Sequence, residues 1–164
     1  MEFSAGWGDF LVASAGATAA LAGLVFVALS INLARILTLE GVAERAGETM
    51  LLLASALVGS LAALIPHESA ADLGLWFLIL WCGTWFVPTY IQIVDFRKRR
   101  YYRAYQAVIR FFLFQGATLP VLVAGLSLRA HPDGGGLLWF AFGVVASLVV
   151  ALYNAWVLLV EIVR

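Results

Sequence analysis

Hydrophobic residues make up 63% of this 164-residue chain and charged residues only 12%. That leaves too little polar surface to cover a water-soluble globule, and a formal net charge of zero says less than where the charges fall. The single cysteine, Cys82, excludes a disulfide scaffold within one chain and reads as a small apolar filler.

Five apolar runs occupy 10–33, 49–65, 73–94, 111–128 and 137–160. A hydrocarbon core about 30 Å thick takes about 20 helical residues at about 1.5 Å each, which the runs meet or approach. In lipid every backbone N–H and C=O must be paired internally, leaving helices or a closed barrel. The runs lack the alternation of barrel strands. The expected fold is therefore all-α, one polytopic domain over 1–164 built as a compact bundle of five transmembrane helices.

The start of the chain carries Glu2 and Asp9, lacks a basic n-region and leads into a run long enough to span, unlike a cleavable signal peptide. Along the first span Ala13, Gly16, Ala20, Gly23, Val27, Ser30 and Ala34 follow a seven-residue seam, with Leu21, Leu24, Phe26 and Leu29 off it. Lipid supplies no hydrophobic drive for helices to associate, so small residues that permit close approach mark contact faces. Packing within the chain is the expectation for this seam, with a subunit interface or a pore lining as alternatives. The first and fifth spans are expected at the centre of the bundle.

The second run is short, and Glu48 and His67 are expected to hold its ends at headgroup level. Pro66 stops it, and the brief outer link to the third run predicts an antiparallel hairpin. In the third run Trp81, Trp85, Pro88, Gln92 and Asp95 share one broad helix face. Pro88 cannot donate to the carbonyl of Thr84, and Pro120 in the fourth run similarly frees Gly116.

Arg97, Lys98, Arg99, Arg100 and Arg103 crowd the link between the third and fourth runs. They anchor topology and are placed to contact anionic lipid headgroups, at about 1 kcal/mol per cation. No recognised nucleic-acid module accompanies them, so nucleic acid is not an expected partner. Nine of the ten Lys and Arg residues fall on this side of the bundle, with only Arg129 opposite. The positive-inside rule then puts the N-terminus outside and the C-terminus in the cytoplasm. Trp7, Trp76 and Trp139 map to the outer interface, where an amphipathic ring is favoured.

The outer link before the fifth run holds His131, Pro132, Asp133 and three glycines, which is turn chemistry. His67, Glu68 and Asp72 occupy the other outer loop. Their spacing is not diagnostic of a metal site, and no metal or cofactor is assigned. In the fifth run Gly143, Ser147, Asn154 and Glu161 lie within about 40° of one another, a polar stripe that should face protein or water. Asn32, Gln92, Asp95, Arg110, Gln115, Ser147, Asn154 and Glu161 together suggest a wet vestibule, most of them in its cytoplasmic third, with Asp95 or Glu161 placed to pair with Arg110. No Walker loop, HExxH, GxSxG or paired-cysteine motif occurs, no catalytic residue is assigned, and the expectation is a non-enzyme.

The run 17–33 (ATAALAGLVFVALSINL) and the closing run 154–161 (NAWVLLVE) resemble those of small uncharacterised bacterial integral membrane proteins. That resemblance implies a bacterial inner membrane and brings no activity. Five spans and abundant tryptophan are also similar in architecture to the tryptophan-rich sensory/translocator proteins. The loop after the first span lacks their Trp- and Pro-rich pattern, so no ligand residue is carried over. From the residues themselves, the leading expectation is an oligomeric, channel-like or small-solute pathway. The alternative is an accessory or ligand-sensing protein that acts through a partner or a bound apolar molecule.

Overall fold

The computed structural model describes residues 6–39, 41–66, 69–98, 104–131 and 135–163, with the side chains of 95, 96, 98, 104, 106 and 161–163 outside the described set. Six helices follow in order: α1 (Gly8–Ile31), α2 (Leu33–Ile36), α3 (Val42–Leu64), α4 (Ala70–Lys98), α5 (Ala104–Ala130) and α6 (Gly136–Val163). No strand occurs among the described residues. All but α2 are long and apolar enough to cross a membrane, and the chain is an all-α integral membrane protein. Large apolar side chains such as Leu24, Ile31, Phe112 and Trp156 point outward, as a lipid-facing rim requires.

Helix α3 is the hub. It packs on α1, α4 and α6, and α5 lies between α4 and α6. Two buried stripes explain this position. Val42, Ala46 and Leu53 meet Leu158 and Ala151 of α6, together with Ile36 and Val25. Glu48, Leu52 and Gly59 follow a second stripe at helical spacing, where Leu52 packs with Phe114 and Ala117 of α5. The expectation that the first span is central is overturned: only 22% of α1's apolar window is buried, against 44% for α3 and for α6.

The half of the bundle at the α3–α4 and α5–α6 links is filled by side chains. Phe77 of α4 stacks on Phe140 of α6 at a centroid distance of 4.3 Å and an interplanar angle of 14°. Leu73, Leu128 and Leu137 close around them. Room for Phe140 comes from Gly59, where a Cβ would stand 2.7 Å from the ring. Helices α4 and α5 touch backbone to backbone at Gly74 and Gly125, since a Cβ on Gly74 would meet the Gly125 carbonyl oxygen at 2.8 Å. Interlocking at this density leaves little slack for added volume.

Asp72 opens α4 as a cap. Its Oδ2 accepts from Ser69 Oγ at 2.7 Å and from Ser69 N–H at 3.1 Å, while Asp72 N–H donates to Ser69 Oγ at 3.2 Å. The reciprocal pair satisfies donors that a helix start leaves open. His67, Glu68, Asp133 and the basic residues Arg99, Arg100 and Arg103 lie outside the described residues, as does the side chain of Lys98. Arg97 is exposed.

Candidate polar site

The half of the bundle nearer the α4–α5 link differs in kind from the opposite half. Helix α3 begins at Val42, a turn and a half before Glu48, so this carboxylate is buried inside a span, where sequence placed it at headgroup level. Glu48 is 4% exposed. Arg110 of α5 grips it in bidentate fashion, Nε donating to Oε2 at 2.7 Å and Nη2 to Oε1 at 2.6 Å. Gln92 of α4 donates a third bond from Nε2 to Oε1 at 2.9 Å. Planar guanidinium-to-carboxylate pairing of this geometry is the strongest ordinary ion pair, and each charge compensates the burial of the other.

A second set of bonds lies deeper between α4 and α5. Trp85 Nε1 donates to Gln115 Oε1 at 2.6 Å, and Gln115 Nε2 donates to Thr89 Oγ1 at 3.3 Å. Trp81 stacks on Trp85 with centroids 5.0 Å apart. The inward stripe of α4 therefore runs Leu73, Phe77, Trp81, Trp85, Thr89, Gln92, apolar toward its N-terminal end and hydrogen-bonding toward its C-terminal end. Trp81 marks the change.

Two buried polar atoms on this stripe have no hydrogen-bond partner among the described residues: Gln92 Oε1 and Trp81 Nε1. Gln92 is itself 7% exposed. Its amide orientation follows from Glu48, because a carboxylate only accepts and must be met by the Nε2 protons. The carbonyl oxygen is thereby turned away. Pro88, also buried, has no N–H for the carbonyl of Thr84, which adds a freed acceptor near the same face.

Of the residues expected to converge, Gln92, Arg110 and Gln115 do meet in this α4–α5 band. Ser147 and Asn154 are buried, but no hydrogen bond among the described residues ties either to this band. Asn154 lies between Ala151, which packs with Leu53 and Val25, and Leu158, which packs with Val42, Ala46 and Ile36. That is the other side of α3 from the stripe of Glu48 and Leu52. Asn32 binds its own helix, Nδ2 donating to the Ala28 carbonyl at 2.9 Å. The side chains of Asp95 and Glu161 lie outside the described residues, and the partner found for Arg110 is Glu48. Sequence reading missed Glu48 because a charge beside a short apolar run looks like a flank. The usable signal was the length deficit of that run, which vanishes when Glu48 is taken into the span.

The small-residue seam of α1 is also placed differently from expectation. Ala13, Gly16, Ala20, Gly23, Val27 and Ser30 are exposed, and a Cβ on Gly16 or Gly23 would meet nothing within 4 Å. Packing within the chain instead uses Leu11, Ser14, Ala15, Thr18 and Val25. Ser30 Oγ donates to the Phe26 carbonyl of its own helix at 2.8 Å.

No protein-family model, curated protein or solved structure matches the chain.

Proposed function

We propose that this integral membrane protein handles a small solute, without chemistry of its own, through the polar band between α3, α4 and α5. The observation that carries the reading is the row of hydrogen-bonding groups from Glu48, Arg110 and Gln92 to Trp85 within an otherwise apolar bundle. Polar groups at membrane depth are expensive unless they serve packing or passage. Gln92 in this row, and Trp81 one turn beyond it, keep an unused bond, which packing does not need. The one-sided Lys and Arg distribution supports a polar band that faces the cytoplasm, in a bacterial inner membrane with the N-terminus outside. The basic link at 97–103 supports contact with anionic headgroups there. The outward seam of α1 supports assembly with further copies of this chain.

Purified protein in liposomes tests the pathway directly. Solute-driven swelling or ion flux above protein-free vesicles is expected. Vesicles that remain tight to ions and to small neutral solutes across voltage and pH overturn it.

One observation favours a second reading. The stacked Phe77 and Phe140, with Leu73, Leu128 and Leu137, fill the outer half, so the polar row ends at mid-bundle. A site open to one side suits a ligand-sensing protein that binds and does not conduct. Saturable binding to tight vesicles would select it.

A further inference from the structure

We propose that the α4 stripe binds a small neutral solute carrying a hydrogen-bond donor and acceptor side by side, the carboxamide being the simplest such group. The proposal rests on the reading of the α3–α4–α5 polar band as solute-handling. Three observations lead to it.

The first is charge. Glu48 and Arg110 lie together in one bidentate pair, so the wall they form carries no net charge. A charged solute entering beside it would shed water without gaining a counter-charge, which is strongly unfavourable in an apolar interior. Neutral solutes escape that penalty.

The second is the pattern of unused bonds. Gln92 offers a buried acceptor in Oε1. One turn away Thr89, 4% exposed, receives the Gln115 amide proton on Oγ1, so its own hydroxyl proton is available to a third group. Residues three apart on a helix stand about 5–6 Å apart at Cβ. A carboxamide N–H directed at Gln92 and its C=O directed at Thr89 match that donor and acceptor. Trp81 adds a further unused donor on the same stripe, its Nε1 proton. It stands about 12 Å from Thr89 along the helix, eight residues at about 1.5 Å each.

The third is closure. Phe77, one turn beyond Trp81, is fully buried against Phe140. Solute arriving from the Arg110 end meets donors and acceptors as far as Trp81 and an apolar stack after it.

Three isosteres of nearly equal size separate the possibilities: acetamide (neutral), acetate (anionic) and acetamidinium (cationic). Each is titrated into the full chain in lipid nanodiscs, with Trp7, Trp76, Trp139 and Trp156 replaced by Phe so that tryptophan emission reports on Trp81 and Trp85. Acetamide is expected to give a saturable change, and the two ions none. Gln92→Met and Thr89→Val should each weaken acetamide by about tenfold, the loss expected for one hydrogen bond to a buried group. Helix content and elution volume confirm that each variant folds, and Thr89→Val serves where Gln92→Met does not. Equal binding of either ion, no saturable response to acetamide, or unchanged affinity in both folded variants overturns the proposal. Vesicle flux of a charged solute without acetamide binding sinks it while the pathway reading stands. Acetamide binding to tight vesicles does the reverse.

Discussion

Glu48 shows how a single residue gains its character from a partner far along the chain. Its three hydrogen bonds come from positions 44 and 62 residues away. Removing one member of a buried ion pair strands the other, at roughly 3–5 kcal/mol, whereas replacing both by apolar groups is often neutral or stabilising. Glu48→Gln and Arg110→Met should therefore each destabilise the fold by about 3 kcal/mol, and Glu48→Met with Arg110→Met should recover most of that loss. Unfolding in mixed detergent micelles measures all three. Single variants within about 0.5 kcal/mol of the parent would show that the carboxylate and guanidinium do not depend on each other. Gln92, Arg110 and Gln115 were legible as polar residues stranded in apolar runs. Glu48 was not, because local hydropathy treats a charge near the end of a run as its boundary. The cross-helix bond that permits its burial leaves no local trace.

At the scale of the helix, the contrast between α1 and α4 is instructive. Gly74 of α4 and Gly125 of α5 bring their helices into backbone contact, so Gly74→Ala forces a Cβ to 2.8 Å from a backbone oxygen. A loss of about 1–3 kcal/mol is expected. Gly23→Ala on α1 meets open space and should leave stability unchanged or raise it by up to about 1 kcal/mol through helix propensity. The same unfolding measurement separates them, and equal effects would contradict the packing described. Spacing could show that α1 has a face of small residues. It could not show whether that face turns inward, because lipid and protein interior are equally apolar and hydropathy offers no contrast between them. The turn of α4 from apolar to polar at Trp81 was partly visible in the shared face of Trp81, Trp85, Pro88 and Gln92. Its hydrogen-bond partners on α5 and α3 were not.

For the molecule as a whole, orientation and assembly remain open to direct measurement. In a Cys82→Ala background, Thr38→Cys should react with a membrane-impermeant maleimide only from the cytoplasmic side, and Gly135→Cys only from outside. Both positions are exposed. The opposite pattern would reverse the topology inferred from the basic residues. Gly16→Ile and Gly23→Ile should leave the monomer fold intact, since nothing in the chain opposes either side chain, and should shift an oligomer toward monomers by blocking close approach. An unchanged mass by light scattering in both variants would exclude the α1 seam as the subunit interface.

Five helical spans and a basic side were readable from the chain alone, because span length and charge asymmetry are local properties read against the fixed thickness of a bilayer. Which helix is central, which way α1 turns its small residues, and which carboxylate meets Arg110 were decided only by packing. The rotation of one apolar helix against another depends on contacts between residues distant in sequence. In a chain this uniformly apolar, those contacts leave almost no mark on the order of residues within any one span.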